Sequence, residues 1–233
     1  MRILSIDFDF FQNTDKETIE TCYPDGIDYS TSMSSVIWAN HYAKYDKLNK
    51  ISINKYLYLG ILEIITKQHK YIPICVAQSH VSIYKFVEEL KKVNPEEQLK
   101  IVNIDLHHDV CNDNKELDCG NWISHIVETY PGTQIGWIAR DTSLDIFDLT
   151  KEEILDVGIE TSFKKIRNTQ FDAIFICRSD MWLPPHLDKY FDKLILKCKL
   201  DFKNIYIENC VSKPRNLNKI NKVKNKIIEL REE

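Results

Sequence analysis

At 233 residues, 43% hydrophobic and with a formal charge of −4, the chain is long enough to bury one large core and too apolar for a disordered protein. Its mild acidity argues against a general nucleic-acid binder, and no apolar run reaches the roughly 18 residues that a membrane span needs. The opening "MRILSIDFDFF" is too short and too acidic for a signal peptide, so the expectation is one soluble, cytoplasmic domain spanning residues 1–233.

The first predicted element is a strand in "RILSIDFDFF". Residues 12–54 follow with weak periodicity and many Tyr, Ser, Asn and Asp, and they read as an excursion over the active-site end, a lid with some helix around "SSVIWANHYAKY". A helix in "YLYLGILEIITKQHK" leads to a strand in "YIPICVAQ". In the next helix, "HVSIYKFVEELKKV", Ile83, Phe86, Val87, Leu90 and Val93 recur at helical spacing and belong to the core. Then come strand "LKIVNIDL", helix "NWISHIVETY", strands "TQIGWIAR" and "FDAIFICRS", helix "PHLDKYFDKLILKCK" and strand "NIYIENC".

The chain closes on a helix within residues 213–233, where seven Lys/Arg against three Glu read as a solvated face. Most of the strand runs are continuously apolar, the mark of strands covered on both faces. Their alternation with helices predicts an α/β fold built on a mainly parallel sheet. Cys22, Cys75, Cys111, Cys119, Cys177, Cys198 and Cys210 form no C-x-x-C pair and no disulfide framework, so they read as reduced thiols. With six glycines and neither G-x-G-x-x-G nor a Walker A loop, nucleotide binding by those devices is disfavoured.

In parallel sheets ligands bind beyond the carboxyl ends of the strands, and here those ends carry ionisable residues. Asp7 and Asp9 close the first strand, Gln78 and His80 the second, Asp105, His107, His108 and Asp109 the third. Arg178 and Asp180 follow the fifth, and Glu208 the sixth. In "VNIDLHHDVCND" the D-x-H-x-D of Asp105, His107 and Asp109 places three ligand-type side chains on one face of an extended backbone. Such a buried set needs neutralising, and mixed carboxylate and imidazole donors suit Mn²⁺ or Fe²⁺ better than a structural zinc, which favours thiolates.

D-x-H-x-D after an apolar strand, followed by "CGNWISH", resembles the arginase/deacetylase superfamily. The opening "LSIDFDFF", with "DLHHDV" and "CGNW", is most similar to the peptide arginases, which convert arginine in a ribosomally made precursor peptide to ornithine. The resemblance covers residues 1–11 and 75–210 as ordered motifs. It implies a three-layer αβα sandwich, two Mn²⁺ ions, and a hydrolase that releases urea through a metal-bridging hydroxide. Carried over residue by residue, it implies metal ligation by His80, Asp105 as the bridge, His107 and Asp109, with Asp109 also catalytic.

"AQSH" lacks the glycines that the family has before His80. "ICRSDMWLPP" offers only Asp180, one residue out of register, as a second-metal ligand. The missing S-x-D-x-D stands at the N-terminus as "SIDFD", so Asp7 joins the metal set and Asp9 the substrate pocket. "YIENC" resembles the strand whose glutamate holds the guanidinium, here Glu208. His125 is the implied proton shuttle, with His108 and His41 as alternatives, and Asn121 either caps its helix or contacts substrate backbone. Arg178 is expected to ion-pair with Asp180. The acidic loop "VCNDNKELDCG" suits a cationic, peptide-borne substrate. The rivals are an amide hydrolase acting on acyl-lysine or polyamines, a small-molecule ureohydrolase, and a non-catalytic binding module of the same fold.

Overall fold

The computed structural model describes residues 1–26, 28–110, 115–147 and 163–232. Six apolar runs form one wholly parallel sheet: β1 (Arg2–Asp7), β4 (Pro73–Ala77), β5 (Lys100–Ile104), β6 (Gln134–Ile138), β7 (Ala173–Cys177) and β8 (Asn204–Ile207). Their order is β6-β5-β1-β7-β4-β8. All five residues of β7 are buried, as expected of a central strand, whereas β8 at the edge alternates between half-buried and exposed. A two-stranded antiparallel ribbon, β2 (Gln12–Asn13) with β3 (Ser52–Ile53), stands apart.

Alternation along each strand divides the core into two layers. Leu4, Ile6, Ile74, Val76, Ile104 and Ile174 face one side, packing on α2 (Thr31–Lys44), α3 (Lys55–Thr66) and α8 (Asp188–Asp201). Ile3, Cys75, Ile101 and Phe175 face the other, against α4 (Ser82–Val93) and α5 (Trp122–Thr129). The result is the expected three-layer αβα sandwich. The remaining helices are α1 (Lys16–Cys22), α6 (Asp141–Phe147), α7 (Phe163–Ile166) and α9 (Leu217–Glu232). No described helix is long and apolar enough to cross a membrane. The described cysteines are all free, and Cys111 lies outside the described residues.

Residues 12–54 are more than a lid. Trp38, Ala39 and Leu48 are fully buried in the larger core, and the Trp38 indole N–H donates to the Asp180 carbonyl at 2.8 Å. The aromatic content read as loop chemistry is instead a packed layer, with Tyr23, Trp38 and Tyr42 in edge and tilted contacts. Likewise the C-terminal helix is not solvated all round: α9 lies along α2, and Ile220 is buried.

The strand order positions the site. From β1 the chain leaves towards β4 on one side, whereas from β5 it leaves towards β6 on the other. Loops departing in opposite directions open a crevice at the carboxyl ends of β1 and β5.

Candidate metal centre

At the end of β1, the Asp7 carboxylate accepts the Asp9 backbone N–H at 3.1 Å and caps a single 3₁₀ turn, Phe8–Phe11. Phe8, Phe10 and Phe11 are buried, so the aromatic side chains of "DFDFF" pin the turn while both acids stay at the sheet edge. The loop after β4 supplies His80. Its ring stacks on Phe175 (5.7 Å between centroids, 2° between planes) and leans on Trp122 (4.8 Å). Its Nε2 pairs with Ser5 Oγ at 2.7 Å, which directs Nδ1 towards the acids.

D-x-H-x-D assembles differently from the extended-strand expectation. β5 stops at Ile104, and the three residues are set by a loop. The Asp105 carboxylate accepts the His107 backbone N–H at 2.8 Å, and its carbonyl accepts the Trp137 indole N–H at 3.0 Å. Asp109 has φ +54°, a left-handed backbone that is uncommon outside glycine, and its carboxylate accepts the Trp122 indole N–H at 2.5 Å. Asp105, His107 and Asp109 therefore do not meet at one point.

Two donor groups result, Asp7 with His80 and Asp105, and Asp9 with Asp105 and His107, each with ligand atoms within 4.8 Å of one another. Asp105 belongs to both. His80 Nδ1 lies 3.0 Å from an Asp105 oxygen, 3.0 Å from Asp109 and 3.3 Å from Asp7; His107 Nδ1 lies 3.1 Å from Asp9. Yet His80 Nδ1 and both Asp9 carboxylate oxygens, all buried, make no hydrogen bond of acceptable angle. Buried ligand atoms crowded together with their hydrogen bonds unmet could hold a cation, and the mixed oxygen and nitrogen donors fit a divalent one.

Electrostatics agree. Burial and the neighbouring Asp7 raise Asp9 well above the usual carboxylate range, and burial with Asp105 raises Asp109 to about 7. Burial disfavours the His80 and His107 cations, but the surrounding carboxylates outweigh it. They raise His80 well above its ordinary value and His107 to about 9. Asp105 pays the same burial penalty, offset by His80 and His107, which lower it to about 2. Four carboxylates thus share too little positive charge, and protons are retained to compensate.

No family model, curated protein or solved structure matches this chain. The reading of the site therefore rests on its own geometry.

Of the remaining residues singled out in the sequence, several lie elsewhere. Asp180 is not in either donor group; Arg178 clamps it through Nε and, at 3.1 Å, through a second guanidinium nitrogen. That expected ion pair takes up the carboxylate, and a buried arginine left without it would be costly. Glu208 faces a separate cavity of about 340 Å³ beside Cys75 and Phe86. Its oxygens accept the Gln78 backbone N–H (3.1 Å) and Ser82 Oγ (2.8 Å) at the start of α4. Asn121 is buried, bridging the Asp118 N–H and the Glu116 carbonyl, so it shapes the loop that leads into α5. His125 is half-buried on α5 and does not line the cavity over the cluster, and His41 pairs with the Cys22 carbonyl at 2.9 Å.

That cavity, of about 820 Å³, is reached by Asp7, His80, His107 and Asp109. His108 also lines it, packed on Phe147 at 4.0 Å between centroids. Its Nδ1 accepts the Val110 N–H at 3.2 Å, leaving Nε2 as the protonated nitrogen, and burial lowers its pKa. Sequence reasoning missed Asp28 and Trp182 on the cavity wall. Gly26 and Trp182 carry a readable signal only in three dimensions, since a Cβ on Gly26 would come within 2.4 Å of the Trp182 ring. Ser179, also on the wall, has φ +56°, so two left-handed non-glycine residues flank the same space.

Proposed function

We propose that this protein is a dinuclear, manganese-dependent hydrolase that cleaves the guanidinium of arginine residues in a precursor peptide, giving ornithine and urea. The observation that carries the reading is the pair of donor groups sharing Asp105, in which His80 Nδ1 and both Asp9 oxygens are buried without a hydrogen bond. Asp7, His80 and Asp105, with Asp109 beside His80, would hold one cation, and Asp9, Asp105 and His107 the other. Asp9 thus moves from the substrate pocket to the metal set, and Asp180 leaves it. When bound, divalent cations at such a site supply a water whose pKa is lowered towards neutrality, which an unreactive guanidinium carbon requires.

The chain's own residues do the rest. Trp122 and Ser5 hold Asp109 and His80 in their ligating orientations. Phe147 and Trp182, packed on His108 and His107, give the cavity an apolar aromatic wall. The C–Nε bond breaks and Nε takes a proton as the ornithine amine leaves. His108 lines this cavity with Nε2 as its protonated nitrogen and takes the proton-transfer role in place of His125.

The test is to incubate manganese-loaded protein with an arginine-containing peptide, free arginine and an acetyl-lysine peptide. Loss of CN₂H₂ per arginine residue, with one urea released, supports the reading. Acetate release from acetyl-lysine alone would replace it with an amide hydrolase, and activity on free arginine alone with a small-molecule ureohydrolase.

A further inference from the structure

Once Glu208 is excluded from the cavity, the substrate cation lacks the carboxylate assigned to it. A guanidinium stays protonated at every working pH and presents N–H donors in one plane, so a site that binds it needs an acceptor opposite the aromatic faces. Among the described wall residues, Asp28 is placed for this. Its carboxylate takes a hydrogen bond from Ser79 Oγ, directly beside His80 in the chain, and another from the Cys119 thiol. Burial and the adjacent Asp28 push that thiol up, so it stays protonated and donates.

Asp28 is thus tied to the turn that carries a metal-ligating histidine and lines the same cavity as His80, whose buried Nδ1 makes no hydrogen bond. Trp182 and Phe147 line the same cavity. Gly26 lies so close to the Trp182 ring that a Cβ there would come within 2.4 Å of it.

We infer that Asp28 is the specificity-determining carboxylate that holds the cationic side chain of the substrate, with Ser79 and Cys119 as its positioning residues. This rests on the proposed peptide-arginine activity and supplies the substrate contact it needs. A neutral urea side chain of the same shape, as in citrulline, keeps N–H donors for Asp28 but lacks the charge, so it gains much less.

The experiment measures binding by calorimetry, in EDTA so that the arginine peptide is bound without turnover, of an arginine peptide and of its citrulline counterpart to the wild type, D28N and E208Q. The wild type should prefer arginine. D28N should weaken arginine binding roughly 10- to 100-fold, the worth of a charged hydrogen bond, and weaken citrulline binding far less, so that the preference for arginine collapses. A thermal melt matching the wild type shows that D28N is folded, and D28E, which keeps the charge, should recover part of the preference. Wild-type preference that survives D28N, or is lost in E208Q instead, overturns the assignment of Asp28 while sparing the activity. A wild type that binds both peptides equally overturns both.

Discussion

Because Asp105 belongs to both donor groups, metal-linked stability should divide among variants in a definite ratio. A ligand at about 100 times its Kd stabilises the fold by about 2.7 kcal/mol per site, so two sites contribute about 5 kcal/mol. For a chain of this size each kcal/mol moves Tm by about 2–4 °C, and saturating Mn²⁺ should raise Tm by roughly 10–20 °C over the EDTA-treated protein. His107→Ala removes a donor from one group only and should retain about half of that shift. Asp105→Asn weakens both groups and should retain almost none, although its chelated form still melts cooperatively. Thermal melts with and without Mn²⁺, paired with metal analysis expecting two, one and no ions per chain, decide it. If Asp105→Asn kept the full shift, or if His107→Ala lost all of it, the shared-carboxylate geometry would be wrong.

Three other outcomes follow from the same contacts. Trp122→Phe keeps the packing on His80 but deletes the indole N–H that orients Asp109, and should weaken Mn²⁺ binding about 10- to 100-fold by competitive chelator titration. In the chelated protein, His107 is raised to about 9, so its stabilising contribution is complete below about 6.5, its unfolded value, and is lost as pH rises through 9. Asp109, raised to about 7, acts in the same direction from its unfolded value of about 4 upwards. Urea denaturation should therefore show the metal-free protein losing stability from pH 6.5 to 9, while Mn²⁺ affinity rises as it competes with fewer protons; a metal-free protein that gains stability over that range contradicts the cluster's electrostatics. Finally, Arg215→Ala strands buried Asp188, to which the guanidinium donates at 2.5 and 3.0 Å, and should cost about 3–5 kcal/mol in urea denaturation.

The strands and most helices were legible in the sequence because their information is local. "AIFIC" or "KIVNI" is continuously apolar wherever it sits, and a strand covered on both faces must be so. The six predicted strands, their parallel pairing and the two helical layers follow from that pattern and from alternation with helices. The gathering of acids and histidines at the strand ends was legible too, since such residues are too costly to bury unpaired.

What no local pattern contains is which of those residues share a point in space. β7 intervenes between β1 and β4, and only that order sets His80 beside Asp7 and Asp105. Asp180 and Glu208 look like Asp7 and Asp9 in sequence, but Arg178 and the first turn of α4 had already engaged them. Asp28 sits in a stretch without periodicity, and only the folding of residues 12–54 onto the core brings it over the crevice. Secondary structure is dictated by neighbours along the chain, whereas a ligand set is dictated by distances between segments, and those distances exist only once the sheet has closed its order.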